Sequence, residues 1–98
     1  MTLASIELTI QQPSGLHTRP AARFVKVASR FPCAISLRNL SNGKGPSNAK
    51  SIMSVLSLGI AQNAQIALRA EGEQADEALA ALRQVLEADL ADSPELTR

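Results

Sequence analysis

The 98-residue sequence contains no tryptophan and no tyrosine, and it has only two phenylalanines and one histidine. With so few aromatic side chains, the hydrophobic core has to be built mainly from Ile, Leu, Val and Ala. Nucleic-acid binding is not expected, because the net charge is only +1 and no aromatics interleave the basic residues for base stacking. No apolar run approaches the roughly 18 residues that span a bilayer, so membrane insertion is not expected either.

The sequence has a single cysteine, Cys33, which excludes an intramolecular disulfide and fits a reducing compartment. One cysteine and one histidine form no metal-ligand cluster, so we expect no metal and no other cofactor. We interpret Cys33 as a buried, inert thiol. A catalytic pair of Cys33 with His17 stays open here, because two residues distant in sequence can meet in a fold.

Acidic residues are almost absent from the first half of the chain. Residues 1–50 carry seven Lys or Arg against one acid, whereas residues 51–98 carry three against eight. This asymmetry favours an acidic or phosphorylated partner for the first half. The alternative interpretation is two ordinary solvated surfaces.

Hydrophobic periodicity predicts the element order strand, helix, strand, strand, helix, strand, helix. Alternating apolar residues predict strands in segments 5–10, 34–40 and 64–72, and helical spacing predicts helices from Thr18 to residue 31 and over 73–90. The segment "SNGKGPSNAK" predicts a flexible hairpin turn and a short, irregular edge strand. Ser51 is then expected to be the N-cap of a brief helix that reaches Ser57.

Strands with one apolar face favour an antiparallel sheet that is covered on one side only. The predicted fold is therefore α+β, an open-faced two-layer sandwich of a four-stranded antiparallel sheet with three helices on one face, in the order βαββαβα. We expect one domain over residues 1–89. Residues 90–98 are polar and contain a proline, which indicates a frayed tail or the start of an interdomain linker.

The only histidine, His17, lies where a loop becomes a helix. The first amides of a helix lack intrahelical partners, and the helix dipole adds positive charge there. We therefore expect a ring nitrogen of His17 to accept one of these N–H bonds, and a phosphoryl group on the ring to find an anion site. Arg19 can fork onto phosphate oxygens, and Gly15 allows a tight turn before the ring. From these residues alone, a plain cap or surface histidine remains an alternative.

Three segments of the chain resemble one known family. "GLHTRPAARFVKVASRF" is similar to the active-site segment of the histidine-containing phosphocarrier family, HPr, of the bacterial sugar phosphotransferase system. "NAKSIMSVLSLGIA" resembles the stretch around the regulatory serine of that family, and "QIALRAEGEQADEALAAL" resembles its last strand and helix. The resemblance extends from about residue 6 to residue 86.

The resemblance implies a cytoplasmic, monomeric carrier without turnover of its own. His17 would accept a phosphoryl group on Nδ1 from enzyme I, originally from phosphoenolpyruvate, and pass it to a sugar-specific enzyme IIA. Arg19 would balance charge during transfer, and Ser51 matches the serine that a kinase and a phosphatase regulate in some bacteria. The implied partner-binding residues are Leu16, Ala22, Lys26, Ile52, Met53 and Leu56. A basic rim that attracts partner carboxylates would comprise Arg23, Lys26, Arg30 and Lys50.

Two features depart from free-standing members of the family. The loop in residues 41–50 is longer than usual and is more similar to HPr domains within multidomain phosphotransfer proteins, and the tail extends past the usual end. We therefore hypothesise that the chain is one domain of a larger protein. Two other functions stay open, namely a regulatory interaction module controlled by phosphorylation at Ser51 and a small-ligand-binding α+β domain.

Overall fold

The computed structural model describes residues 2–91 and contains seven elements in the predicted order. The strands are β1 (Leu3–Thr9), β2 (Ala34–Asn39), β3 (Ser47–Asn48) and β4 (Gln65–Glu71). The helices are α1 (Thr18–Ala28), α2 (Ile52–Leu56) and α3 (Ala75–Ala91). The predicted βαββαβα order is confirmed.

The four strands form one antiparallel sheet in the spatial order β1-β4-β2-β3. At the centre, Leu68 of β4 is paired with Ile6 of β1 on one side and with Leu37 of β2 on the other. The edges are β1 and the two-residue β3, which confirms the short edge strand. The last strand in sequence before α3 therefore lies inside the sheet, between the first two.

The core lies between one face of this sheet and the helices. On β4, Ile66, Leu68 and Ala70 are buried, and the residues between them are more exposed. From the helical layer, Phe24 of α1 and Leu82 of α3 are completely buried. Removing this apolar surface from water is the main stabilising contribution, at roughly 25 cal/mol per Å². The open-faced two-layer sandwich is thereby confirmed.

The end of β1 leads the chain towards His17. Ile10 lies just past the strand, and its side chain is buried although Ile6 and Leu8 on the edge strand are only half-buried. Ile10 extends the pairing, because its N–H donates to the Ala64 carbonyl at 2.9 Å and its carbonyl accepts from the Asn63 N–H at 2.7 Å. The loop before α1 is thus attached to the loop before β4.

The C-terminal helix lies close to where the sequence pattern predicts it. We expected a helix over residues 73–90 and a frayed tail or linker from residue 90, and α3 spans Ala75–Ala91. The rest of the expected tail or linker, residues 92–98, lies outside the described residues. Across residues 2–91, no helix combines the length and apolar character that crossing a membrane requires.

Candidate functional site

His17 is the N-cap residue of α1, as predicted, and its side chain is exposed. Its backbone is extended, with φ −91° and ψ −169°, and its carbonyl accepts the first helical bond from the Ala21 N–H at 2.9 Å. The expectation that the imidazole accepts a helix amide is wrong, because the side chain makes no capping hydrogen bond. An N-cap side chain usually bonds the N2 or N3 amide, and the N3 residue here is Pro20, which has no N–H.

The first turn of α1 therefore keeps its positive end open. Pro20 removes one amide, and the amides of Thr18 and Arg19 precede the first intrahelical bond. Together with the helix dipole, these donors favour an anion placed on the helix axis. The exposed imidazole of His17 stands at that end of the helix.

Arg19 supplies a permanent positive charge in the same turn. Its side chain is exposed, and within residues 2–91 it makes no hydrogen bond or ion pair. A guanidinium that is not committed to a protein acceptor is available to fork onto phosphate oxygens. The structure thus places an exposed imidazole, two backbone donors and an exposed cation at the first turn of one helix.

The backbone before His17 is held tightly. Gly15 has φ +69°, and a Cβ at this position would overlap the Ile60 carbonyl oxygen and come within 2.8 Å of Ala61 Cα. The Gly15 N–H donates to the Gln12 carbonyl at 2.9 Å, and the Leu16 N–H donates to the Ile60 carbonyl at 3.0 Å. A glycine is therefore required here for close approach of two backbone segments as well as for the turn.

Leu16, which the resemblance places in the partner-binding set, has a different role in this structure. Its side chain is only 4% exposed and belongs to the hydrophobic core. Burial of this apolar side chain is favourable, and the bond from the Leu16 N–H to the Ile60 carbonyl holds its backbone beside the core. Leu16 therefore offers almost no side-chain surface to a partner, and it anchors the loop to the core.

Gln12 is a buried anchor that sequence reasoning missed. Its side chain is buried, and Nε2 donates to the Leu86 carbonyl of α3 at 2.6 Å. In the sequence, Gln12 is one of several polar residues in a turn, and its partner is 74 residues away. No local pattern signals such a contact.

Ser51 is the N-cap of α2, as predicted. Its side chain is half-buried, and Oγ accepts a long hydrogen bond from the Ser54 N–H at 3.4 Å. The preceding Lys50 does not belong to an open basic rim, because its Nζ donates to the Phe31 carbonyl at 2.6 Å. Lys50 thereby ties the entry of α2 to the chain that leaves α1.

The remaining predicted partner-binding residues are arranged on α1 and α2, which pack against each other. Met53 is 72% exposed, and Ile52 and Leu56 are half-buried against the core. On α1, Ala22 and Lys26 are exposed. Of the expected basic rim, Arg30 is also exposed, whereas Arg23 is half-buried and already has an interaction partner.

Cys33 and His17 lie at opposite ends of the molecule. Cys33 precedes Ala34, which pairs with the last residue of β4, whereas the His17 loop joins the chain before the first residue of β4. The 11 residues of α1 alone span about 16 Å between them. The open alternative of a catalytic Cys–His pair is excluded, and Cys33 is a buried thiol with 2% exposure, as predicted.

Comparison with known proteins decides the family. A family model described as the PTS HPr component phosphorylation site matches residues 4–88. The chain belongs to the HPr family. The phosphocarrier protein HPr of Pseudomonas aeruginosa is 40% identical over 87 residues, which cover 86% of this chain and 91% of that protein. Membership in this family supports a phosphocarrier role in the phosphotransferase system.

Solved structures agree with this HPr assignment. The crystal structure of HPr-C-His from Thermoanaerobacter tengcongensis has a TM-score of 0.83 and 37% identity, over 92% of this chain and 98% of that chain. Crh of Bacillus subtilis, a catabolite repression protein, has a TM-score of 0.67 and 37% identity, over 83% and 90% of the two chains. The Crh crystal structure is described as an intertwined dimer with a swapped domain.

Asn39 is the second buried polar residue that sequence reasoning missed. It is the last residue of β2 and is only 2% exposed. Its side-chain nitrogen donates a hydrogen bond, and its side-chain oxygen accepts one. In the turn that follows, Asn42 joins Asn39 in bonding the Leu58 carbonyl in the chain after α2. This connection joins the loop in residues 41–50 to the helix that carries Met53.

Proposed function

We propose that His17 accepts a phosphoryl group from phospho-enzyme I, with phosphoenolpyruvate as the original donor, and passes it to a sugar-specific enzyme IIA. The observation that carries the proposal is the exposed imidazole at the open N-terminus of α1, free of any capping bond. The family model for a phosphorylation site includes this position.

The proposed transfer needs little covalent chemistry from the protein. The lone pair of the unprotonated Nδ1 forms the new bond to phosphorus, while the bond from phosphorus to the donor atom on enzyme I breaks and returns its electron pair to that atom. The ring proton stays on Nε2. Passing the group on to enzyme IIA reverses these roles, so the carrier contributes positioning and charge compensation.

Charge compensation would come from the helix end and from Arg19. The phosphoryl oxygens carry negative charge, and the amides of Thr18 and Arg19 together with the dipole of the 11-residue α1 favour that charge. The Arg19 guanidinium adds charge-assisted hydrogen bonds. Because the site is exposed, solvent screens these contacts, which keeps the phosphoryl group loosely held and transferable.

Partners would dock on the surface formed by α1 and α2 beside His17. Met53 provides a flexible, polarizable apolar side chain that can fit more than one partner. Lys26 and Arg30 are exposed cations that raise the association rate with acidic partners. We also propose a cytoplasmic location and a monomer, and sizing in solution would distinguish the monomer from a dimer of the Crh type.

The proposal is tested by incubation with enzyme I and phosphoenolpyruvate labelled in its phosphoryl group. We expect wild-type protein to acquire a label that is acid-labile and base-stable, as a phosphohistidine is. His17→Ala should remove the label entirely, while its unfolding midpoint in urea stays at the wild-type value. A label that survives in His17→Ala would contradict the assignment.

A second candidate function is a regulatory interaction module controlled at Ser51. The structural likeness to Crh favours it, as does the position of Ser51 at the entry of α2. A phosphate on Ser51 would add a dianion next to Met53 and repel an acidic partner. If enzyme I fails to label wild-type protein while a serine kinase labels it at Ser51, this second function replaces the first.

A further inference from the structure

We propose that Asn39 is a positioning residue that, together with Asn42, sets where α2 lies relative to the His17 loop. The inference rests on the proposed function, because a single partner has to engage Met53 on α2 and His17 at the same time. The structural basis is the three-residue segment 58–60, which follows α2 and which we call the shared strip.

The amide of Asn39 holds the first part of the shared strip. Its Nδ2 donates to the Leu58 carbonyl at 3.0 Å and, more weakly, to the Gly59 carbonyl at 3.5 Å. The Nδ2 of Asn42 donates to the same Leu58 carbonyl at 3.0 Å. Two side-chain donors on one carbonyl restrict its direction, because a large rotation of this peptide breaks at least one of the bonds.

Asn39 also positions Asn42. Its Oδ1 accepts from the Ser41 N–H at 3.0 Å and from the Asn42 N–H at 3.3 Å, which shapes the turn that directs Asn42 towards Leu58. Asn39 is almost fully buried, and burial of an amide is costly unless both of its ends are bonded. An apolar side chain here could fill the space, but it would leave the turn and the strip without a directional link.

The other end of the shared strip supports the His17 loop. The Ile60 carbonyl accepts the Leu16 N–H at 3.0 Å, and Gly15 lies directly against Ile60. The side chains of Leu58 and Ile60 are both buried in the core. A shift at Leu58 is therefore transmitted through one intervening residue to the carbonyl that holds the residue before His17.

The strip is also the direct continuation of α2. The Leu58 N–H donates to the Val55 carbonyl at 3.2 Å, and the Gly59 N–H donates to the Leu56 carbonyl at 3.3 Å. The helix itself has only five residues, which is too short to be stable without external contacts. What holds the strip thus determines the orientation of α2 and the place where Met53 is presented.

The test compares Asn39→Ala with Ser41→Ala. The control removes a hydroxyl that accepts the Gln65 N–H at 2.9 Å, so it weakens the same turn without touching the shared strip. For Asn39→Ala, we expect hydrogen exchange of the Leu16 amide to accelerate about tenfold more than exchange of the β4 amides, as loss of a buried hydrogen bond allows. Ser41→Ala should leave that ratio unchanged once the Gln65 amide, whose acceptor it removes, is left out of the β4 reference set.

A functional arm uses enzyme I with each variant as the phosphoryl acceptor. Asn39→Ala should raise the KM for this chain about fivefold with kcat unchanged, because docking is affected and the reacting nitrogen is not. Ser41→Ala should behave as wild type. If Asn39→Ala does not fold, Asn42→Ala, at an exposed position, should change both readouts in the same direction by a smaller amount.

Two outcomes overturn the proposal. One is uniform acceleration of exchange across β4 and Leu16 alike, which indicates loss of global stability only. The other is a Leu16 exchange rate that neither asparagine variant changes. If enzyme I does not phosphorylate wild-type protein, the proposed function fails, and the exchange experiment still decides whether Asn39 links α2 to the His17 loop.

Discussion

The molecule has two helix N-caps that are candidates for phosphorylation, and they are built differently. At His17 the side chain makes no capping bond, and the loop is held by backbone contacts to the chain near Ile60. At Ser51 the hydroxyl itself accepts from the Ser54 N–H, so the reactive group is part of the helix cap. At His17 the side chain that would be phosphorylated does not cap its helix. At Ser51 the same oxygen would carry the phosphate and caps the helix.

Because the two caps differ, phosphorylation at His17 and phosphorylation at Ser51 should affect the structure differently. A phosphoryl group on His17 would replace no side-chain hydrogen bond within residues 2–91, so it could be added and removed without rebuilding the loop. A phosphoryl group on Ser51 changes the cap of a helix of only five residues, and its charge lies at the helix N-terminus. The first arrangement suits a carrier with rapid exchange, and the second suits a switch.

Of the substitutions that test the difference between the two caps, Gly15→Ala should have the largest effect. It disturbs the backbone contacts with Ile60 that hold the His17 loop. The new Cβ would overlap the Ile60 carbonyl oxygen, and φ +69° is unfavourable for alanine. We expect a loss of about 3 kcal/mol in the free energy of unfolding, measured by urea denaturation. Phosphoryl acceptance should fall in parallel.

The matched control for this prediction is Gly43→Ala. Gly43 also has positive φ, at +80°, but a Cβ there would meet no atom within 4 Å. We expect it to cost about 1 kcal/mol, from the backbone conformation alone. Equal losses in the two variants would show that the contact with Ile60 does not support the loop.

Arg19→Gln should lower the rate of phosphoryl transfer about 10- to 100-fold without changing stability. The reason is that the Arg19 side chain is exposed and makes no bond within residues 2–91, while its charge-assisted bonds would form only with the phosphoryl group. Rapid-quench measurement of transfer from phospho-enzyme I in a single turnover gives this rate.

Lys26→Gln removes the same charge from an exposed position on the same helix and serves as the control for Arg19→Gln. We expect a smaller loss that disappears at high salt, because Lys26 acts on diffusional encounter. The loss in Arg19→Gln should persist at high salt. Identical salt dependence in the two variants would show that Arg19 acts only on diffusional encounter with partners and not on the transfer step.

The sequence predicts those parts of the site that depend on short-range signals. The position of Pro20 and the apolar spacing after it predict the start of α1, and the serine before an apolar run predicts the cap at Ser51. Alternation along the strands predicts the one-sided sheet. Each of these features is determined within one helical turn or one strand.

Long-range polar contacts escape such reasoning. Gln12 bonds a carbonyl 74 residues away, and Asn39 bonds one 19 residues away. In the sequence, Gln12 is an ordinary turn residue and Asn39 is a polar residue near the end of a predicted strand. The same holds for Lys50, which the resemblance places in a basic rim and whose Nζ donates to the Phe31 carbonyl in the fold. The imidazole that was expected to cap α1 does not do so, because the geometry of an N-cap depends on the amides that Pro20 leaves available.

The smallest expected changes in stability come from removing each of the two N-cap side chains. Ser51→Ala should lower the free energy of unfolding by about 0.5–1 kcal/mol, at the lower end of the range for capping residues because the bond to the Ser54 N–H is long, at 3.4 Å. His17→Ala should change it by less than about 0.5 kcal/mol, as for an exposed side chain without a partner. Urea denaturation of both variants at one pH measures the pair. If His17→Ala lowers the free energy of unfolding as much as Ser51→Ala does, the imidazole stabilises α1. The difference between the two caps described above would then not exist.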